Sequence, residues 1–178
     1  MRLDNNLIIP ASTIKGVLRT CMIKISKLLG YNVSPFVHPE KITDDIITCL
    51  MGKPDRIGKI RVYNALLNSN TFTLSHVKID DTKRIAEEGG LFSIEYISKD
   101  SIFNSKIEAY DINKDELRLL LAAITEMNNT RVGKGGLVWV RISNIKPDKD
   151  TILQLFNNDE IINILINESF KGVEYENL

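Results

Sequence analysis

Four residues near the N-terminus have the types and the spacing to bind a phosphate group. Ser12, Lys15, Gly16 and Arg19 lie three or four positions apart, so in a helix they share one face. That face offers a hydroxyl, two cations and a residue without a side chain, beside the unpaired backbone amides of a helix N-terminus, which attract anions. The alternative is an ordinary capped amphipathic helix whose cations are solvated.

The surrounding pattern predicts the helix that presents these residues. Pro10 ends an apolar run, and Ser12 or Thr13 is the expected N-cap. We predict a helix over residues 12–29, which Gly30 ends. Its buried stripe consists of apolar residues at helical spacing, namely Ile14, Val17, Leu18, Cys21, Met22, Ile25, Leu28 and Leu29.

A glycine-rich loop is the second candidate for phosphate binding. Its cations and glycines are Arg131, Gly133, Lys134, Gly135 and Gly136. The glycines would let a phosphate backbone approach main-chain amides closely, but they would equally suit a tight helix-to-strand connection. The loop lacks the spacing and the hydroxyl residue of a nucleoside-triphosphate loop, which excludes that class of site.

Catalytic residues are harder to find. His38 and His76 are the only histidines, and we place them in separate loops as solvated side chains. Asp4 is a weak catalytic candidate, because it is the carboxylate nearest to the phosphate-binding face. The acidic pairs 44–45 and 80–81 lack the spacing of a metal site, so no metal site is predicted.

Aromatic side chains on predicted strands could stack on nucleobases. Phe92, Tyr96 and Trp139 have apolar neighbours, however, and such positions are more often part of the core. We therefore predict core positions for these three residues.

Composition limits the class of protein. The 178 residues include 43% hydrophobic residues, and 23 basic residues balance 23 acidic ones. We expect one domain over residues 1–178, with a core over 1–147 and an acidic helical C-terminal extension over 148–178. Basic residues cluster in the stretches 15–27, 53–61 and 131–141, which would form a positive groove if they meet.

The sequence shows neither a membrane-span pattern nor a secretion-signal pattern, and this bears on the expected cellular location. No segment has the run of about 20 apolar residues that a membrane span needs, and the N-terminus has no secretion-signal pattern. Cys21 and Cys49 stand singly in apolar surroundings and are expected to be buried thiols. These features favour a cytoplasmic protein without membrane contact.

The remaining pattern predicts an α+β fold. After the first helix we expect a short helix over 44–51 capped by Thr43 or Asp44, and a second long helix over 114–129 capped by Asn113. Predicted strands cover 59–67, 71–79, 91–97 and 137–145, with a turn at 89–90, and acidic helices cover 148–156 and 159–170. This order is the ferredoxin-like or RRM-like βαββαβ pattern, with its first strand reduced or missing.

Four blocks of the sequence resemble the RAMP superfamily, in particular the backbone subunits of type III CRISPR effector complexes. Residues 9–19, IPASTIKGVLR, resemble the signature IPGSSLKGxxR. Further blocks follow in the family's order at 50–65, 77–96 and 131–138. The resemblance implies an RRM-like subunit that polymerises along CRISPR RNA, with target RNA and other RAMP subunits as partners. It also implies that Ser12, Thr13, Lys15, Gly16, Arg19 and the glycine-rich loop hold the guide's phosphates.

Some positions depart from the family pattern. Ala11 replaces a glycine, and the glycine-rich loop is short. In cleaving members the catalytic Asp lies in a loop several residues ahead of the first block, whereas Asp4 lies nearer to it. Because nine residues precede Pro10, we expect either a non-cleaving subunit or a first strand supplied by another chain or an upstream segment.

Three functions therefore stay open. The first is an RNA-binding backbone subunit without a nuclease site or a cofactor. The second is a metal-dependent endoribonuclease that cleaves target RNA, which would need Mg²⁺ and could use Asp4. The third is a structural filament subunit that barely contacts RNA.

Overall fold

The computed structural model describes residues 2–3, 6–33, 44–68, 71–98, 101–133 and 136–171. The helices are α1 (Ala11–Leu28), α2 (Ile46–Met51), α3 (Lys114–Glu126), α4 (Lys149–Leu155) and α5 (Glu160–Lys171), with a 3-10 turn at Met127–Asn129. The strands are β1 (Arg2–Leu3), β2 (Asn6–Ile9), β3 (Ile60–Val62), β4 (Ala65–Asn68), β5 (Thr71–Ile79), β6 (Ala86–Ile97), β7 (Ile102–Asn104), β8 (Ile107–Ala109), β9 (Arg131–Val132) and β10 (Gly136–Leu137). The protein is α+β, as predicted, while its ferredoxin-like strand order stays a prediction.

The chain divides into two compact units. The sheet unit comprises Met1–Ile9 and Ala65–Ser105, and the helical unit comprises Pro10–Asn64 and Lys106–Leu178. The single domain expected over residues 1–178 stays a prediction.

The sheet unit contains an antiparallel sheet with the strand order β1-β2-β4-β7. At the N-terminus β1 pairs antiparallel with β2, with Arg2 opposite Leu7. Ile8 and Ile9 of β2 pair in turn with β4. A short strand thus precedes α1 in the chain.

The same unit holds a long hairpin formed by β5 and β6. The turn predicted at Gly89-Gly90 is wrong, because these glycines lie inside β6. The chain reverses near Asp80 instead, whose carboxylate accepts hydrogen bonds from the backbone amides of Thr82 and Lys83 at 2.8 and 2.9 Å. Gly89 has φ +73°, close to a register shift between Val77 and Ile79, so it accommodates the irregularity in the strand pair.

The core of the helical unit lies where α1 packs on α3 and α3 packs on α5. Fully buried side chains at helical spacing come from all three helices, namely Leu18, Cys21, Met22, Leu119, Ala123, Ile162 and Ile166. Local signals define the helix ends. Asn113 caps α3 as predicted, and it forms a capping box with Glu116; after α1 the Gly30 amide donates to the Lys27 carbonyl and the Tyr31 amide donates to the Ser26 carbonyl.

A buried carboxylate links α3 to the start of α5. Asp159 is 8% exposed and accepts hydrogen bonds from Arg118 Nη2 at 2.5 Å and from the Ile162 backbone amide at 2.9 Å. Lys114 Nζ lies 2.6 Å from the same carboxylate. These donors, Arg118 first, hold the pKa of Asp159 well below its usual range.

Two strand predictions are wrong, those over residues 59–67 and 137–145. The strand predicted over 59–67 divides at Tyr63-Asn64 into β3, which pairs with β8, and β4, which pairs with β2 and β7. The strand predicted over 137–145 pairs only at Gly136–Leu137. Beyond it, the Asn128 side-chain amide bonds both the N–H and the carbonyl of Val140, at 2.7 and 3.1 Å. A side chain thus occupies the place that a neighbouring strand would take.

The cap predicted for the short helix is also wrong. Asp45, and not Asp44, is the N-cap of α2, where it forms a capping box with Thr48. Thr43, the other predicted cap, lies outside the described residues.

Candidate nucleic-acid interface

The N-terminus of α1 differs from the prediction in how its amides are satisfied. Pro10 is the N-cap and makes no side-chain cap, so the predicted capping role of Ser12 or Thr13 is wrong, and both lie inside the helix. The Ala11 amide donates to Asn64 Oδ1 at 2.8 Å, and the Thr13 amide donates to the Pro10 carbonyl at 2.9 Å. The anion-binding capacity of this end therefore depends on side chains more than on unpaired amides.

A surface pocket of about 270 Å³ lies beside this helix end in the helical unit. Ser12 and Lys15 from α1 line it together with Arg61 from β3 and Tyr110, which follows β8. Its other lining residues are small or apolar: Ala11, Ile57, Gly58, Ile60 and Val62. Two cationic residues and one hydroxyl residue thus line a space that is large enough for a phosphate with part of its nucleotide.

Lys15 is half-buried in this setting. Burial lowers the pKa of its ammonium group, and the positive charge of Arg19, one helical turn away, makes a further, smaller contribution in the same direction. A polyanion would counter both effects, because it would place negative charge beside the ammonium. Within the part of the chain that the structure describes, a Cβ placed at Gly16 would meet no atom within 4 Å, so this part of the helix face is open there.

The pocket brings together only part of the predicted helix face. Ser12 and Lys15 line it, whereas Thr13, Gly16 and Arg19 lie outside its lining. The RNA contacts expected of all five residues stay predictions.

The basic stretch 53–61 contributes less positive charge than its sequence suggests. Lys53 lies 3.2 Å from Asp44 and 3.3 Å from Asp55, and Arg56 lies 3.3 Å from Asp44. The Lys59 ammonium donates to the buried Glu116 at 2.9 Å, alongside the α3 capping box. Arg61 is the cation that this stretch supplies to the pocket.

Two tyrosines beside the pocket share one acceptor, which the sequence analysis missed. The hydroxyls of Tyr63 and Tyr110 donate to the same oxygen of Glu108 at 2.7 and 2.6 Å. Lys106 forms an ion pair with the other oxygen of this carboxylate. These donors, Lys106 first, lower the pKa of Glu108 to about 2. The alternation of Lys106, Glu108 and Tyr110 indicates that these three residues share one face of a strand. Their contact with Tyr63 could not be predicted in this way, because Tyr63 comes from a distant segment.

The described ends of the glycine-rich loop lie in two short paired strands. Arg131–Val132 of β9 pairs with Gly136–Leu137 of β10, and β9 contacts α1. Gly133 has φ +66°, a left-handed conformation that glycine adopts without strain. Lys134 and Gly135 lie outside the described residues. Phosphate binding by this loop, including Arg131 and Gly136, stays a prediction.

The other candidates differ from their predicted settings. Asp4 and His38 lie outside the described residues. His76 lies in β5 and not in a loop, where its ring stacks on Phe92 and its Nε2 lies 2.8 Å from the Tyr96 hydroxyl. Across the described ranges, no group of three or more His, Cys, Asp or Glu residues could hold a metal ion.

The core positions predicted for aromatic residues are wrong in two cases. Phe92 is 48% exposed and Trp139 is 58% exposed, while Tyr96 is half-buried. Phe92 lies in the two-stranded sheet of β5 and β6, most of whose residues are exposed. Of the two cysteines, Cys21 is buried as expected, and Cys49 is half-buried.

No helix in the described part of the chain is both long enough and apolar enough to cross a membrane. Comparison with models of protein families matches residues 2–138 to the RAMP superfamily. Comparison with curated proteins gave no significant match. The family match covers all four sequence blocks and the residues around the pocket. The chain therefore belongs to the RAMP superfamily, and this membership indicates a CRISPR-associated RNA-binding subunit with partners in a CRISPR RNA complex.

Proposed function

We propose that this protein is a backbone subunit of a type III CRISPR interference complex and that it holds the phosphates of CRISPR RNA. The observation that carries the proposal is the convergence of Lys15, Arg61 and Ser12 on one pocket of the helical unit. Family membership supports RNA as the ligand, and the type III assignment rests on the four blocks that resemble those backbone subunits.

The charge distribution is consistent with this role. The net formal charge is zero, and three of the basic residues between 53 and 61 are paired with acids. A free-standing nucleic-acid binder is usually basic overall. A subunit that neighbouring RAMP subunits hold on a guide needs only local positive charge, because the assembly supplies the rest of the RNA contact.

In this proposal the subunit binds RNA and does not cleave it. Target RNA would reach the subunit by pairing with the guide, and other RAMP subunits would contact it along the filament. Cleavage at Asp4 with Mg²⁺ is the alternative. Target cleavage that persists in an Asp4→Ala complex would remove Asp4 from any catalytic role.

The charged helix face provides the direct test. In the Lys15→Ala/Arg19→Ala double variant we expect a marked loss of affinity for single-stranded RNA, because both cations lie on the proposed phosphate-binding face. The plot of log affinity against log salt should become shallower by about 1.4, since each lost phosphate contact on a single strand contributes about 0.7. Fluorescence anisotropy at several salt concentrations measures both quantities.

A matched control removes the same charge elsewhere. Lys146 and Lys171 are exposed, lie outside the three basic stretches and do not line the pocket. The Lys146→Ala/Lys171→Ala variant should keep the affinity and the salt dependence of the original protein. If the Lys15/Arg19 variant behaves like this control, the proposal is wrong and a structural subunit with little RNA contact is favoured.

A further inference from the structure

The tyrosine pair beside the pocket is held in an unusual way. One oxygen of Glu108 accepts the hydroxyls of both Tyr63 and Tyr110, and the other oxygen pairs with Lys106. The ammonium of Lys106 also lies 5.5 Å from the centroid of the Tyr63 ring. The carboxylate is therefore neutralised locally and fixes the direction of two aromatic rings.

This arrangement decides what the rings can offer to a ligand. Both hydroxyls already donate to Glu108. A bound molecule would therefore contact the faces of the rings and not their hydroxyls. One face of Tyr63 is occupied by Lys106. Tyr110 is 52% exposed and lines the pocket together with Lys15 and Arg61.

The size and the composition of the pocket restrict the ligand. Its volume of about 270 Å³ is close to the lower limit of small-ligand sites, which is about 300 Å³. Its walls combine two cations, an aromatic ring and the aliphatic side chains of Ile57, Ile60 and Val62. Cations beside an aromatic surface match a phosphate joined to a flat base, because phosphate needs positive charge and a base needs a ring to stack on.

We propose that this pocket is a subsite for one nucleotide of the bound RNA, in which the Tyr110 ring stacks on a base while Lys15 and Arg61 bind the adjacent phosphate. Glu108 is a positioning residue that holds Tyr110 in place. This inference rests on the proposed function, since it takes RNA as the ligand. It adds a base contact to a surface otherwise assigned only to phosphates.

The test uses the full-length protein and a single-stranded RNA that carries 2-aminopurine, whose fluorescence falls when the base stacks. Tyr110→Ala should weaken binding about 5- to 150-fold, the range for loss of one stacked base, and should reduce the quenching. Tyr110→Phe retains the ring but loses its hydrogen bond to Glu108, so it should weaken binding and reduce the quenching, but less than Tyr110→Ala does. Tyr110→Leu, which retains apolar bulk in case the alanine variant folds poorly, should behave like Tyr110→Ala.

Substitution of Glu108 gives a second test. Whether RNA binding becomes weaker or stronger separates a positioning role from a purely electrostatic effect of the carboxylate. If Glu108 acted only as a negative charge beside RNA, Glu108→Gln would strengthen binding. A positioning role predicts weaker binding and less quenching, with no further loss when Glu108→Gln is added to Tyr110→Ala. Glu168→Gln, an exposed residue paired with Lys171 at 3.0 Å, is the matched control and should change neither property.

Failure of this inference is distinguishable from failure of the proposed function. If Tyr110→Ala matches the original protein in affinity and quenching while the Lys15/Arg19 variant still loses affinity, the base subsite is wrong and phosphate binding stands. If Glu108→Gln strengthens binding, the positioning role is wrong. If the original protein binds no RNA in this assay, both proposals are overturned.

Discussion

The helical core and the β5–β6 hairpin contain similar apolar side chains but bury them to very different extents. On α5, Ile162 and Ile166 are fully buried against α3. On the hairpin, Ile94 is 39% exposed, and Phe72 and Leu74 are also exposed. An apolar residue contributes to stability in proportion to the surface that it removes from water. The same residue type therefore stabilises the helical core more than it stabilises the hairpin.

The polar interactions of the two regions differ in the same way. Asp159 is buried in the helical unit, and Arg118 and Lys114 compensate its charge. On the hairpin, Lys78 Nζ lies 2.6 Å from a Glu87 carboxylate oxygen, but both side chains are exposed. Exposed pairs of this kind contribute little, because water and salt screen them. Burial, more than residue type or distance, therefore decides how much each contact contributes to stability.

The largest expected effect is in the helical core. Ile162→Ala should lower the free energy of unfolding by about 2–5 kcal/mol, because it removes buried methyl groups and leaves a cavity between α3 and α5. Urea denaturation followed by circular dichroism measures this change. Ile161→Ala is the control on the same helix, since Ile161 is 51% exposed and should change stability far less. Equal effects of the two variants would contradict the assigned packing of α5.

A pH-dependent effect is expected at Asp159. Its folded-state pKa is lowered, so its carboxylate favours folding above the ordinary pKa of about 3.9 for an unfolded aspartate. Asp159→Asn should therefore be destabilised relative to the original protein at pH 7. The difference should shrink as pH falls below about 4 toward the lowered folded-state pKa, where the carboxylate of the original protein also becomes neutral.

Unfolding midpoints at a series of pH values test this prediction. The exposed neighbour Glu160 provides the control Glu160→Gln, which lacks the buried partners of Asp159. A constant difference between Asp159→Asn and the original protein from pH 7 to pH 3 would contradict a lowered pKa.

The smallest effect is expected on the hairpin. Ile94 faces Leu74 across the strand pair, and such pairs contribute about 0.2–1 kcal/mol. Ile94→Ala should therefore cost no more than about 1 kcal/mol by the same urea titration, well below Ile162→Ala. A loss as large as that of Ile162→Ala would show that the face bearing Ile94 is covered in the free protein.

Local signals explain which parts of the fold could be predicted. The positions of α1, α3 and α5 follow from apolar residues at helical spacing, and the Asn113–Glu116 capping box and Gly30 lie within a few residues of the ends they define. The strands over 59–67 and 137–145 could not be predicted correctly. Their limits depend on distant partners: Asn64 bonds the start of α1, and Asn128 bonds Val140 in place of a strand.

The sequence by itself determined that Ser12, Lys15, Gly16 and Arg19 share a helix face, because the helical repeat is a property of neighbouring residues. It also carried the four blocks that match the family. Only the tertiary structure decided that Arg61 and Tyr110 join Lys15 in one pocket, and that Glu108 holds two tyrosines. Those residues come from segments about 45 positions apart in the chain, and their contact depends on the pairing of β3 with β8, which no short stretch of sequence encodes.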